Sequence, residues 1–338
     1  MIVLLLPLVA AILLFVERPP KYPPKAVPNA TQEMLYGRLA AGGLAGDELA
    51  TVGALTLGYK QDLDKTLRRH FQASGAAHVL AVSGLHTGIL YALLIGLLTL
   101  GGRIRPMYEN RWGRWSISLV IIAAMWGYAW LTGMTPSVVR AVIMVTIFEV
   151  GRMAYRQAVS LNTVAAAAVL ILLFKPTDLW SVSFQLSFAA TAAIVLLARR
   201  MEVVFHRREW QGKWTGRILA WVVGTVIISI AAQLGTIPVT MFYFGQVSTY
   251  FLLTNLIVLP LASLLVPCGL VSIALGGTSV GMLFSKVTWS LAWTMNHSVA
   301  WIESLPGSTF PAHINGRMIG IYYSIWLLFF IFVAKKQQ

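Results

Sequence analysis

The sequence predicts an all-α polytopic membrane protein of about ten transmembrane or membrane-embedded helices, some of them discontinuous. Three observations carry this. Hydrophobic residues make up 57% of the 338-residue chain. Charged residues make up only 11%, less than half of the roughly 25% usual in a soluble domain, and a soluble protein of this length has too little interior for so much apolar surface. The cations outnumber the acids 26 to 12, a net of +14, and they fall in alternate loops, as the positive-inside rule requires of a multi-pass chain. A soluble enzyme is excluded. The single cysteine, Cys268, excludes an intramolecular disulfide and any Cys-rich metal site.

The elements follow in order. Residues 1–16, apolar from 2 to 16, have no basic n-region and no clean small-residue cleavage site before Glu17, so they read as a membrane anchor rather than a cleaved signal peptide. Residues 17–77 form an outward-facing segment that opens with Pro19, Pro20, Pro23, Pro24 and Pro28, whose fixed φ favours an extended linker. From about 33 to 77, Leu39, Leu44, Leu49, Val52, Leu55, Leu63, Leu67 and Phe71 recur among charges and glycines, which predicts two or three amphipathic helices along the membrane face. Residues 78–334 form the multi-pass domain, with helices at 78–100, 115–131, 136–150, 159–174, 179–198, 217–234, 249–275, 280–302 and 317–334, and 335–338 is a cytoplasmic tail.

Orientation comes from the loops. Arg103, Arg105, Arg111 and Arg114, then Arg152 and Arg156, then Arg199, Arg200, Arg207, Arg208, Lys213 and Arg217, and finally Lys335 and Lys336, mark one side. The linkers 132–135 and 235–248 carry no charge and mark the other. Both termini therefore face the cytoplasm. Tryptophans near the span ends, including Trp112, Trp115, Trp180, Trp210, Trp214 and Trp301, read as interfacial anchors.

Polar side chains inside apolar helices usually face other helices or a watery cavity, because hydrocarbon offers them no partner. At 100° per residue, His78, Ser83 and His86 fall within about 140° of one helix face, and Gly84 with Gly88 forms a small-residue pair that permits close helix contact. These groups could simply bond neighbouring helices. A metal held by His78 and His86 would have to bridge about 12 Å of straight helix, and a Ser83/His86 nucleophile pair lacks an orienting acid. Arg140, four residues past the helix-starting Pro136, either snorkels to the outer interface or faces an internal path where it could meet a phosphate; Glu149 on the same helix reads as interfacial. Ser181, Gln185, Ser187 and Thr191 fall within about 160° of arc, with Ser183 just outside it, a stripe suited equally to helix packing and to a channel wall. Gln233, Pro238, Asn255, Pro260 and Pro267 interrupt two apolar stretches and suggest discontinuous helices. No phosphate-binding loop, His-Glu-x-x-His or acidic cluster occurs, so no cofactor, metal or catalytic residue is assigned, and directed transport would draw its energy from a gradient or another subunit.

Four blocks, His78-Val-Leu-Ala-Val-Ser-Gly-Leu-His86, Pro136-Ser-Val-Val-Arg140-Ala-Val-Ile-Met144, Phe184-Gln-Leu-Ser-Phe188 and Gln233-Leu-Gly-Thr-Ile-Pro238 with Asn255 and Pro260, together resemble the ComEC-type competence family over roughly residues 35–305. The resemblance implies an inner-membrane channel that takes single-stranded DNA into the cytoplasm during natural transformation, and it marks His78, Ser83, Gly84, His86, Arg140, Gln185, Gln233, Pro238, Asn255 and Pro260; Ser187 joins them as a channel-wall candidate. Longer members carry an N-terminal OB-like domain and a C-terminal metallo-β-lactamase-like domain. Here the outward segment is too short and proline-rich for a complete OB fold and no nuclease motif occurs, so the expectation is a competence-domain-only chain or a fragment. The expected partners are single-stranded DNA, membrane lipid, a separate nuclease, a DNA receptor and a cytoplasmic ATPase, with a homo-oligomer as a further expectation. A small-solute or lipid transporter, or an intramembrane hydrolase built on Ser83 and His86, are the alternatives.

Overall fold

The computed structural model describes residues 28–80, 83–99, 110–154, 161–205 and 214–335. The expected anchor over 2–16, the prolines from Pro19 to Pro24, Trp210 and the cations Arg103, Arg105, Arg156, Arg207, Arg208, Lys213 and Lys336 lie outside those residues.

The described chain is helical almost throughout. Its α-helices are α1 (Ala30–Ala41), α2 (Gly46–Leu57), α3 (Lys65–Ser74), α4 (Gly84–Leu98), α5 (Arg111–Leu131), α6 (Pro136–Met153), α7 (Leu161–Phe174), α8 (Val182–Phe205), α9 (Trp214–Phe244), α10 (Phe251–Ala274), α11 (Ser279–Ser304) and α12 (Gly316–Lys335). A 3-10 turn, Pro176–Trp180, leads into α8. Two three-residue strands, β1 (Gln246–Ser248) and β2 (Thr309–Pro311), pair antiparallel with Val247 opposite Phe310. Each expected span after the first contains one helix, because long apolar runs bounded by charged or glycine-containing linkers fix where helices form. By length and composition α5, α9 and α10 can each cross a membrane, and α4, α7 and the stretch Val182–Leu197 of α8 are apolar but shorter. The architecture is that of an all-α membrane protein. Exposed apolar side chains such as Leu119, Leu173 and Leu264 suit lipid contact, and Trp112, Trp214 and Trp301 lie exposed near helix ends.

The sequence expectation needs correction in three places. First, the proline-bearing helices are continuous. α9 runs through Pro238 to Phe244, taking in ten residues assigned to a linker, and α10 runs through Pro260 and Pro267. A helix survives an internal proline where neighbours satisfy the backbone groups it frees, and α9 has such neighbours, as described below. Second, α2 does not lie along a surface. Every residue from Ala50 to Leu57 is buried, and Val52 and Leu55 join Leu39, Phe71, Val258, Leu265, Met295 and Val299 in the largest apolar cluster. Its twelve residues are too few to span, which fits a buried or re-entrant segment. Thr51 Oγ1 donates to Asn296 Oδ1 at 2.8 Å, tying α2 to α11. Third, α4 begins only at Gly84, so His78 precedes the helix and shares no helical face with Ser83 and His86.

Two smaller clusters complete the core: Ile117, Ile121, Met125, Val138 and Val142 between α5 and α6, and Ala168, Ile171, Leu172 and Phe184 between α7 and α8. α5 packs beside α6, α9 beside α10, and α10 beside α11, while α12 packs on α9, and β1 pairing with β2 joins the α9–α10 connection to the α11–α12 connection at one end. α3 lies at that end as well: Thr254 Oγ1 donates to the Ser74 carbonyl at 2.6 Å, and Arg69 pairs with Glu303 at 3.2 Å.

Candidate functional site

The polar motif residues gather where three helices begin. α4 opens with a capping box, in which Ser83 Oγ accepts from the Leu85 amide at 3.2 Å and the Ser83 amide donates to His86 Nδ1 at 3.0 Å. His86 takes the part a Glu or Gln usually plays in such a box. An amide N–H can only donate, so Nδ1 is the acceptor and the neutral ring carries its proton on Nε2. That Nε2–H is fully buried and has no partner. Ser83 Oγ lies 3.1 Å from the same Nδ1, but the single lone pair there is already engaged by the amide. The geometry is that of a helix cap, and the hydrolase alternative gains nothing from it. Gly84 is exposed and its missing Cβ would lie 3.9 Å from Ala141 Cβ, whereas Gly88 faces open space. Neither glycine therefore makes the close helix approach expected of the pair; Gly84 alone comes within ordinary van der Waals contact of a neighbouring helix.

α6 starts with Pro136 at its first position, where a missing N–H costs nothing. One turn on, Arg140 is only 2% exposed, so it does not snorkel outward. Its Nη2 donates to the Ser183 carbonyl at 2.9 Å and to Ser183 Oγ at 2.7 Å, crossing to the first turn of α8. Nε and Nη1 of the same guanidinium are buried without partners, as is Oγ1 of Thr135, which precedes Pro136 and makes no cap bond. The carboxylate whose charge reaches Arg140 is Asp178, which pairs with Lys175 at 3.3 Å. Gln185, half-buried just past Ser183, donates through Nε2 to the Leu179 carbonyl at 3.0 Å. Ser187 lies one turn farther along, where its carbonyl accepts from Thr191 Oγ1 at 2.8 Å.

The remaining motif residues sit elsewhere. His78 is exposed, with Nδ1 3.2 Å from the Gly75 carbonyl. Gln233 is half-buried on α9. Asn255 on α10 donates through Nδ2 to Ser229 Oγ on α9 at 3.0 Å, and its Oδ1 is buried without a partner. Pro260 lies in the next turn of α10. Among the described residues no three His, Cys, Asp or Glu side chains stand close enough to hold a metal ion.

Two arrangements have no counterpart in the sequence reading. Glu149 is fully buried rather than interfacial. It accepts from Tyr91 Oη at 2.5 Å and Ser118 Oγ at 2.6 Å, and Arg152 Nη2 lies 3.5 Å away. Its position as the one carboxylate within an expected span was the signal available. The other arrangement concerns Pro238, which has no N–H for the carbonyl four residues earlier. That carbonyl, on Leu234, accepts from Tyr322 Oη at 2.8 Å, and its neighbour on Gly235 accepts from Tyr323 Oη at 2.7 Å. α12 thereby satisfies the backbone at the proline. Replacing both tyrosines by phenylalanine should cost about 1–2 kcal/mol of stability, seen as a lower unfolding temperature in detergent. In a Pro238→Ala background, where the Leu234 carbonyl regains an amide, the Tyr322→Phe part of that cost should shrink; an undiminished cost would show that the hydroxyl acts elsewhere.

The Competence protein family model matches residues 55–337. The chain is 28% identical over 296 residues to ComE operon protein 3 of Bacillus subtilis (strain 168), covering 86% of this chain and 35% of that protein. It is 29% identical over 245 residues to Recombination protein 2 of Haemophilus influenzae (strain ATCC 51907 / DSM 11121 / KW20 / Rd), covering 71% and 29%. It is also 28% identical over 187 residues to Competence protein ComA of Neisseria gonorrhoeae, covering 54% and 26%. The matched segments thus span about a third or less of these relatives. No solved structure matches the chain.

Proposed function

Because the chain belongs to the competence protein family, we propose that it forms a multi-pass membrane channel carrying single-stranded DNA into the cytoplasm during natural transformation. One observation carries the reading beyond family membership: segments far apart in sequence bring Gly84, Arg140 and Ser183 to the opening turns of three helices that meet there. A strand in transit needs positive ends and hydrogen-bond donors for its phosphates. Helix N-termini with a buried arginine provide both.

In this reading the chain crosses the membrane about ten times, its termini and basic loops lie in the cytoplasm, and the end bearing α3 and the strand pair faces outward. The chain is a conduit rather than an enzyme. A nuclease, a DNA receptor and a cytoplasmic ATPase are separate partners, and His78 and Gln233 line approaches rather than the constriction. The test is genetic. Deleting the gene in a transformable strain should abolish entry of labelled DNA into the cytoplasm while leaving surface binding intact, and unchanged internalisation would refute the proposal.

A further inference from the structure

We propose that Arg140, Ser183 and the opening turns of α6 and α8 form a binding site for one phosphodiester group at the outward mouth of the bundle. The inference rests on the channel reading for its biological setting and on four features of the site for its chemistry. The first is an unsatisfied cation: Arg140 is 98% buried by its 2% exposure, yet Nε and Nη1 bond nothing. Buried donors in folded proteins nearly always have acceptors, and a buried cation without an anion is costly. The second is direction. Nη2 is pinned on Ser183, so the guanidinium lies at the first turn of α8, and Ser183 itself is exposed, which places the group one side chain beneath the surface.

The third feature is the set of helix ends. α6 and α8 both start here, and each contributes a partial positive charge at its N-terminus. Thr135 makes no cap bond, and its Oγ1 is buried without a partner at the start of α6. The fourth is the neighbouring α4, where Gly84 comes against Ala141 and the buried His86 holds an unpartnered Nε2–H. Opposing this set is Asp178, which pairs with Lys175 at 3.3 Å and whose charge still reaches Arg140 without bonding its Nε or Nη1. The balance favours an anion with several acceptor oxygens over a cation or a neutral solute. A phosphodiester fits the guanidinium fork, which binds such oxygens in pairs. The same group occurs in a DNA backbone and in a lipid headgroup.

The experiment uses the full chain in phosphatidylcholine nanodiscs, with fluorescent tetrathymidylate as the probe and its methylphosphonate analogue as the uncharged control. The site predicts that tetrathymidylate binds and the analogue does not, and that inorganic phosphate competes. Arg140→Gln should weaken binding at least tenfold, and Ser183→Ala several-fold. Ser183 is exposed, so its variant keeps the test alive if Arg140→Gln fails to fold. Binding that is equal in the wild type and both variants, or indifferent to phosphate, overturns the site. A second set of nanodiscs containing phosphatidylglycerol separates the sources: displacement of the oligonucleotide only in wild type assigns the phosphate to lipid and overturns the strand as occupant. A protein that binds in this way but whose deletion leaves DNA entry unchanged keeps the site and loses the channel; the reverse result keeps the channel and loses the site.

Discussion

Replacing Glu149 by alanine is expected to lower stability by about 3 kcal/mol, the scale of breaking a buried ion pair from one side. The carboxylate is the junction of three helices. It sits on α6, accepts from Tyr91 on α4 and Ser118 on α5, and faces Arg152 one turn along its own helix. Alanine leaves the buried Ser118 hydroxyl, the half-buried Tyr91 hydroxyl and the Arg152 cation without that carboxylate. Glutamine keeps an acceptor at the same place and should cost about 1 kcal/mol, near the value of a single hydrogen bond. Tyr91→Phe should fall in the same range. Thermal unfolding in detergent ranks the three. A Glu149→Ala protein as stable as wild type but unable to pass DNA would show that Glu149 serves transport rather than assembly.

A side chain at Gly235 should be at least as damaging. A Cβ there would lie 2.5 Å from the Ala189 carbonyl oxygen and 2.7 Å from Ala193 Cβ, so α8 and α9 would have to separate along their contact. Backbone cannot yield as a flexible side chain does. Gly235→Val should therefore cost about 3 kcal/mol and deplete the monodisperse fraction in detergent. Gly88→Ala provides the contrast. It meets nothing within 4 Å and exchanges glycine for the best helix former, so it should leave stability unchanged or raise it by up to about 1 kcal/mol. Two glycines, one within a motif block and one two residues past another, thus have opposite expected outcomes, and only the fold distinguishes them.

Helix positions were legible because hydropathy and loop charge are local. The helix start at Pro136 was also legible, since a proline acts within one turn, whereas the start at Gly84 was missed because the apolar run continues back to His78. What the sequence concealed depends on partners far along the chain. Pro238 reads as a break until Tyr322, 88 residues beyond the Leu234 carbonyl, supplies the missing donor. Glu149 reads as interfacial until Tyr91, 58 residues earlier, encloses it. α2 carries Asp47 and Glu48 in its first turn and so resembles a surface helix, although its last eight residues are fully enclosed. The candidate site shows the same division. Arg140 was visible as a cation in an apolar helix, but Ser183, just outside the polar stripe of its own helix, was visible only as a neighbour of Arg140.

The central claim is that an incoming strand passes the mouth formed by α4, α6 and α8. Site-specific photo-cross-linking during uptake tests it most directly, with a photoreactive phenylalanine analogue at Ser183 in one strain and at Leu264, an exposed apolar position on α10, in another. The account predicts a covalent adduct between internalising labelled DNA and the chain at position 183 and none at 264. Normal internalisation with no adduct at 183, or with equal adducts at both positions, would contradict it.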